Sequence, residues 1–124
     1  MRSVCAACHS GQWIGGHFAK LNHTIETTNA TTSAATALMQ TAWDSGAAKG
    51  LADDASPFDE ALERQWSSQW LFYANSIRFA SAMGGADYGV FANGRYVMSG
   101  KLFEMSDWLE FVQSAEKETA ETID

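Results

Sequence analysis

Apolar residues recur at intervals of three and four along most of this chain, the repeat of helices with one face turned inward. From about Gly16 to Ser45 the positions Phe18, Leu21, Ile25, Thr28, Thr32, Ala35, Met39 and Ala42 keep that spacing and predict one long first helix. Its middle, Thr27 to Ala37, is almost wholly Thr, Ala and Ser, small enough for another helix or a flat cofactor to approach closely. Gly46 and Gly50 mark its end. After a loop over 47–55, Ser56-Pro57-Phe58-Asp59-Glu60 reads as a helix start, with Ser56 as N-cap, Pro57 in the first helical position and acids in the first turn. That second helix directs Leu62, Trp66, Trp70, Tyr73, Ile77 and Ala80 inward and stops at Gly84-Gly85. Residues 86–95 read as a turn with Gly89 and Gly94 as breakers. A third helix, from about Tyr96, uses Met98, Leu102, Met105, Leu109 and Val112. Its polar, acidic end from Ser114 to Asp124 is expected to fray.

No run alternates apolar and polar residues in the two-residue repeat of a strand, and the chain contains one proline. The expectation is an all-α, elongated three-helix bundle over residues 16–124, with 1–15 as a segment of different character. At 124 residues and 46% hydrophobic content, the chain suffices for one domain with a modest core. A net charge of −7 argues against nucleic acid as a partner, since phosphate binding needs a basic patch. No Lys/Arg block suits an anionic membrane surface. No apolar run reaches the roughly 18 residues of a membrane span. A secretory signal has a basic start, an apolar core and a small-residue cleavage site, but here Met1-Arg2-Ser3-Val4 runs straight into Cys5.

The two cysteines of the chain lie in Cys5-Ala6-Ala7-Cys8-His9, which matches C-x-x-C-H, the attachment motif of c-type haem. Two thiols three apart on one helical turn each bond one vinyl group at a porphyrin edge, and the next residue places its imidazole over the iron. The spacing also reads as a redox dithiol, although that motif wants a strand before it and four residues do not make one. A closed zinc site needs four donors, and His17 and His23 are the histidines that would complete it. The leading expectation is one covalent haem c on Cys5 and Cys8, with His9 on the iron. Such attachment belongs to an oxidising, extracytoplasmic compartment, so either an export signal has been removed or, the preferred reading, the chain is the tail of a longer polypeptide whose other parts wall the haem. His17 reaches the iron held by His9 only if Gly15-Gly16 reverses the chain; otherwise it serves the iron of a different haem. His23 lies about 120° round the helix from His17. Met39, Met83, Met98 and Met105 read as core filler rather than ligands.

Cys5-Ala6-Ala7-Cys8-His9-Ser10, then Trp13, then His17-Phe18-Ala19-Lys20-Leu21 and the Thr/Ala-rich helix, resembles the last haem motif and following helix of the octahaem hydroxylamine oxidoreductases. The stretch Trp66 to Trp70-Leu71-Phe72-Tyr73, followed by Asn75-Ser76-Ile77-Arg78-Phe79, is similar too. So are Met83-Gly84-Gly85-Ala86-Asp87-Tyr88-Gly89 and Asn93-Gly94-Arg95-Tyr96. The similarity runs over nearly the whole chain. The departure is that the family carries eight haem motifs and this sequence has one, so it looks like the C-terminal piece of such a protein.

The resemblance implies a homotrimer of the periplasm or an equivalent compartment. It implies oxidation of hydroxylamine or a related small nitrogen compound, with electrons relayed through closely spaced haems to a redox partner, a cytochrome or a quinone. The C-terminal helices of the family meet at the subunit contact. In oxidative members a tyrosine of a neighbouring subunit bonds covalently to the catalytic haem; by motif position this is Tyr88, with Tyr96 as runner-up and Tyr73 third. The ordinary reading of Tyr88 is a loop ring that packs while its hydroxyl meets water. Trp66, Trp70, Phe72 and Tyr73 read as bundle core and trimer contact rather than electron relays. The catalytic haem's own ligand set lies outside this sequence, so the fragment alone is expected to be inactive. Two other readings are a free-standing monohaem cytochrome c that carries electrons, and a helical interface module whose haem is structural.

Overall fold

Threonine is a poor residue for a helix interior, yet the longest helix of this protein is built on it. In a computed structural model that describes residues 1–85 and 90–123, every regular element among the described residues is helical, as expected. A one-turn helix α1 (Arg2–Cys5) precedes α2 (Gly11–Ser45), and a 3₁₀ turn (Ala52–Asp54) lies in the connection that follows. Helix α3 (Ala61–Ser68) runs through a π-type turn (Gln69–Tyr73) into α4 (Ala74–Gly84). A second π-type turn (Phe91–Arg95) opens α5 (Tyr96–Ile123).

Helix α2 begins at Gly11 rather than near Gly16, because Ser10 caps it: the Ser10 hydroxyl accepts the Trp13 N–H at 3.3 Å. Gly15 and Gly16 therefore lie inside the helix. Along its middle, the hydroxyls of Thr27, Thr28, Thr31, Thr32, Thr36 and Thr41 each donate to the carbonyl four residues back, at 2.7–3.0 Å. A hydroxyl satisfied on its own helix can be buried without an orphaned donor, which is how Thr28 sits in the interior, bonded to the carbonyl of equally buried Thr24. Gly46, at φ 80°, ends the helix in the left-handed region, and the Ala48 N–H reaches back to the Ala42 carbonyl at 3.2 Å.

The chain then folds back along α2. Trp43 meets Glu63, Thr36 meets Trp66 and Asn29 meets Arg78, so the partners rise in one helix as they fall in the other, an antiparallel pair. Fully buried Glu63 locks the reversal. Its Oε1 accepts the Trp43 indole N–H at 2.8 Å and the Gly50 N–H at 3.0 Å, while its Oε2 accepts the Glu60 N–H at 3.2 Å. Gly50 sits at φ 61°, and a Cβ there would stand 2.9 Å from Cδ1 of Trp43, so glycine is required twice over. This arrangement overrides the expected start at Ser56-Pro57. Ser56 and Asp59 instead make a local turn, Glu60 accepts the Lys49 N–H at 2.7 Å, and helix begins only at Ala61.

One apolar cluster gathers Ala35, Met39, Ala42, Ala48, Leu62, Met105 and Leu109, and a second gathers Ala74, Ile77, Val90 and Met98. Across the π-type turn the buried positions Gln69 and Ala74 stand five apart, while Ile77 beyond it is buried as expected. Ser81 is buried where Ala80 was expected, and Gln69 is buried with its Nε2 donating to Sδ of Met105 at 2.9 Å. Gly94 is a packing residue rather than a breaker: a Cβ on it would overlap Cγ1 of Ile77. Met39, Met98 and Met105 fill the core as expected, but Met83 is 75% exposed. Phe72 and Phe79 on the second rod, with Phe103 and Phe111 on α5, are 63–71% exposed. The polar end of α5 stays helical to Ile123.

Glu63→Ala leaves the N–H donors of Trp43, Gly50 and Glu60 without their acceptor and is expected to lower unfolding free energy by about 3 kcal/mol. Urea titration followed by circular dichroism reads that loss; an unchanged midpoint would remove the carboxylate from its locking role. Gly94→Ala is expected to cost about 1–3 kcal/mol by overpacking. Its combination with Ile77→Ala should cost less than the sum of the two single changes, because the methyl then enters vacated space.

Candidate haem-attachment site

One turn of backbone sets the geometry of the cysteine motif. The N–H of Cys8 and that of His9 both donate to the Cys5 carbonyl, at 3.1 and 2.9 Å, so residues 5–9 close a helix-like turn between α1 and α2. Side chains three and four apart on such a turn share a side. Cys5 is half-buried, Cys8 and His9 are exposed, and both thiols are free. Arg2 lies over the Phe18 ring at 4.6 Å and ties α1 to α2.

The imidazole of His9 stacks on the Trp13 indole, with ring centroids 3.9 Å apart and planes 15° apart. Trp13 in turn stacks on His17 at 5.2 Å and 4°, and His17 meets Phe18 edge-on at 5.3 Å. Spacing of four along a helix makes this column. Because Gly15 and Gly16 are helical, the chain does not reverse there, and the indole stands between the two imidazoles. His17 accordingly does not face His9 across one porphyrin in this arrangement. His23 is exposed, and its carbonyl accepts the Thr27 hydroxyl. Among the described residues no three His, Cys, Asp or Glu side chains gather as a metal site, so His17 and His23 do not complete a zinc set with the thiols.

Beside the column lies a cleft of about 370 Å³, walled by Gln12, Trp13, Gly16, His17 and Lys20 on α2 and by Gly84 and Gly85 at the end of α4. Tyr88, the expected cross-linking residue, lies outside the described residues. Tyr96 opens α5 and is 69% exposed, its ring 6.3 Å from that of Phe91. Tyr73 packs, half-buried, against the cluster of Ala74, Ile77, Val90 and Met98. Trp66 and Trp70 are half-buried and stand in a row with Trp43, at centroid separations of 5.4 and 5.8 Å.

The donor set fits a c-type haem. Two unpaired thiols share one turn, the neighbouring imidazole is open to solvent, and the surrounding surface is apolar, with Val4 75% and Trp13 48% exposed. Cys5 and Cys8 would hold the porphyrin by its edge and His9 would meet the iron; the group supplies one-electron redox chemistry when bound. The Trp13 stack was not read from the sequence, although the i, i+4, i+8 spacing of His9, Trp13 and His17 carried it.

Comparison with solved structures finds a likeness over nearly the whole chain. The chain is similar to a solved structure described as a hypothetical multiheme protein, with 35% sequence identity and a TM-score of 0.79. The match covers 94% of this chain and 22% of that one, so the chain spans about a fifth of its relative's length. No family model matches the sequence, and no curated protein does. A multihaem, cytochrome-like protein is thus a relative of this chain across nearly all of its sequence.

Replacing Cys5 or Cys8 by Ser should leave haem on a single thioether, and replacing both should abolish covalent attachment. Haem-stained denaturing gels after expression with a maturation system check this; covalent haem surviving the double change would move the site elsewhere.

Proposed function

We propose that this chain is the C-terminal part of a multihaem c-type cytochrome oxidoreductase of the hydroxylamine oxidoreductase kind. The observation that carries the reading is the C-x-x-C-H turn, placed at the head of a helical chain that matches a multiheme protein over 94% of its length. In this reading residues 1–15 attach one haem c through Cys5 and Cys8, with His9 on its iron, and 16–124 form an elongated three-helix bundle. The haem transfers electrons and the catalytic haem lies elsewhere in the polypeptide. His17, turned away from His9 by the Trp13 stack and opening on the cleft, ligates the iron of a different haem.

The exposed faces bearing Phe72, Phe79, Phe103 and Phe111 meet neighbouring subunits of a homotrimer and the rest of the polypeptide. Tyr88 supplies the cross-link to a neighbour's catalytic haem, with Tyr96 as the other candidate. The substrate is hydroxylamine or a related small nitrogen compound, and the electrons leave to a cytochrome or quinone. The setting is the periplasm or an equivalent compartment. No helix among the described residues is long and apolar enough to cross a membrane.

His9→Ala should leave the haem attached while changing its iron spectrum, and pyridine haemochrome assay should still return one haem per chain. An unaltered absorption spectrum would exclude His9 as a ligand. In the complete protein, Tyr88→Phe should abolish any haem–protein bond beyond the thioethers, as read by mass spectrometry of haem peptides. Persistence of that bond would pass the role to Tyr96. Loss of hydroxylamine oxidation on deleting 16–124, with haem loading of the remainder intact, would support the placement of this bundle in the working assembly.

A further inference from the structure

A second polar site lies midway along the bundle, on the α2–α4 seam. The groove there measures about 480 Å³ and is lined by Asn29, Thr32, Ser33, Thr36 and Gln40 of α2 and by Arg78 of α4. Arg78 is half-buried, and its guanidinium is held on both sides by neutral amide oxygens. Nη2 donates to Oδ1 of Asn29 at 2.6 Å and Nη1 to Oδ1 of Asn75 at 3.0 Å. No carboxylate among the described residues pairs with it. A clamp whose sole task was to join two helices would need no charge, since a neutral amide reaches the same oxygens. Here a positive charge is oriented by two amide oxygens in a groove open to solvent.

We propose that this groove binds a small planar oxyanion, of carboxylate or nitrate geometry, with Arg78 as its principal contact. Arginine carries five N–H donors in a fixed fork. The two asparagines engage two of them, which leaves donors in the guanidinium plane for a bidentate, charge-assisted pair. The groove also supplies neutral donors. The Ser33 hydroxyl and the Gln40 amide have no internal partner among the described residues, whereas the Thr32 and Thr36 hydroxyl protons are spent on carbonyls of their own helix at 2.8 and 2.9 Å. No carboxylate lines the groove to compete for the guanidinium. The site lies beyond His17 and His23 on α2 and uses none of the C-x-x-C-H residues, so its test does not depend on haem attachment.

The test is a titration of the folded 124-residue chain with acetate and, separately, with nitrate, following the arginine Nε–Hε signals by heteronuclear NMR. Arg2, Arg64 and Arg95 serve as internal references. The expected result is a saturable shift of the Arg78 signal alone, with chloride at equal ionic strength at least tenfold weaker. Arg78→Lys should weaken the effect on the neighbouring Asn29 and Asn75 amide signals at least tenfold, since it keeps the charge but loses the fork. Uniform, unsaturated drift of all four arginines, or chloride acting as well as acetate, would overturn the proposal. So would unchanged Asn29 and Asn75 responses in the lysine variant.

Discussion

Helical continuity through Gly15 and Gly16 is the constraint on which the arrangement of this protein turns. Two adjacent glycines are weak helix formers, at about 1 kcal/mol each relative to alanine, and invite a bend. The Ser10 cap and the long helix that follows hold them straight. As a result, His9, Trp13 and His17 fall on one stripe instead of facing one another across a reversed chain. The same rod, without interruption, carries the asparagine that meets Arg78, the threonine that meets Trp66 and the tryptophan that meets Glu63. Position at the cysteine turn and position along the seam are therefore one geometric quantity.

The returning helix is registered against α2 and against α5 by polar and steric contacts as well as by apolar burial. Four of the residues in the apolar clusters beneath the contacts are alanines, Ala35, Ala42, Ala48 and Ala74, which bury little area each. Specificity comes from a buried carboxylate with three N–H donors, from a glycine that admits Ile77, and from an amide that finds a thioether. Small side chains let the backbones come close, and close backbones make each misplaced methyl felt.

The sequence revealed those features whose cause is local or periodic. Apolar spacing located α2 and α5 and most of their inward residues, including Met39, Ala42, Met98, Met105 and Leu109. C-x-x-C-H was visible because its chemistry fits within five residues. The errors have long-range causes. Ser56-Pro57 carries a good local capping signal, but Glu63 engages Trp43 and Gly50, and the helix waits for Ala61. A π-type turn leaves no mark in a three-and-four repeat, so Trp70 and Tyr73 were assigned the inward places that Gln69 and Ala74, five apart, hold. Gly94 resembled a breaker because a missing side chain reads alike whether it frees the backbone or admits a neighbour. Met83 shares its chemistry with the buried methionines and differs only in what stands opposite it.

The four outward phenylalanines have a practical bearing. Aromatic rings left in water on two helices make a surface that seeks any other apolar surface, including its own kind. Produced by itself at high concentration, this polypeptide is a candidate for clumping and chaperone capture even when every helix has formed. Its behaviour in a test tube then depends on stickiness as much as on fold stability, and dilution or a mild detergent becomes part of handling it.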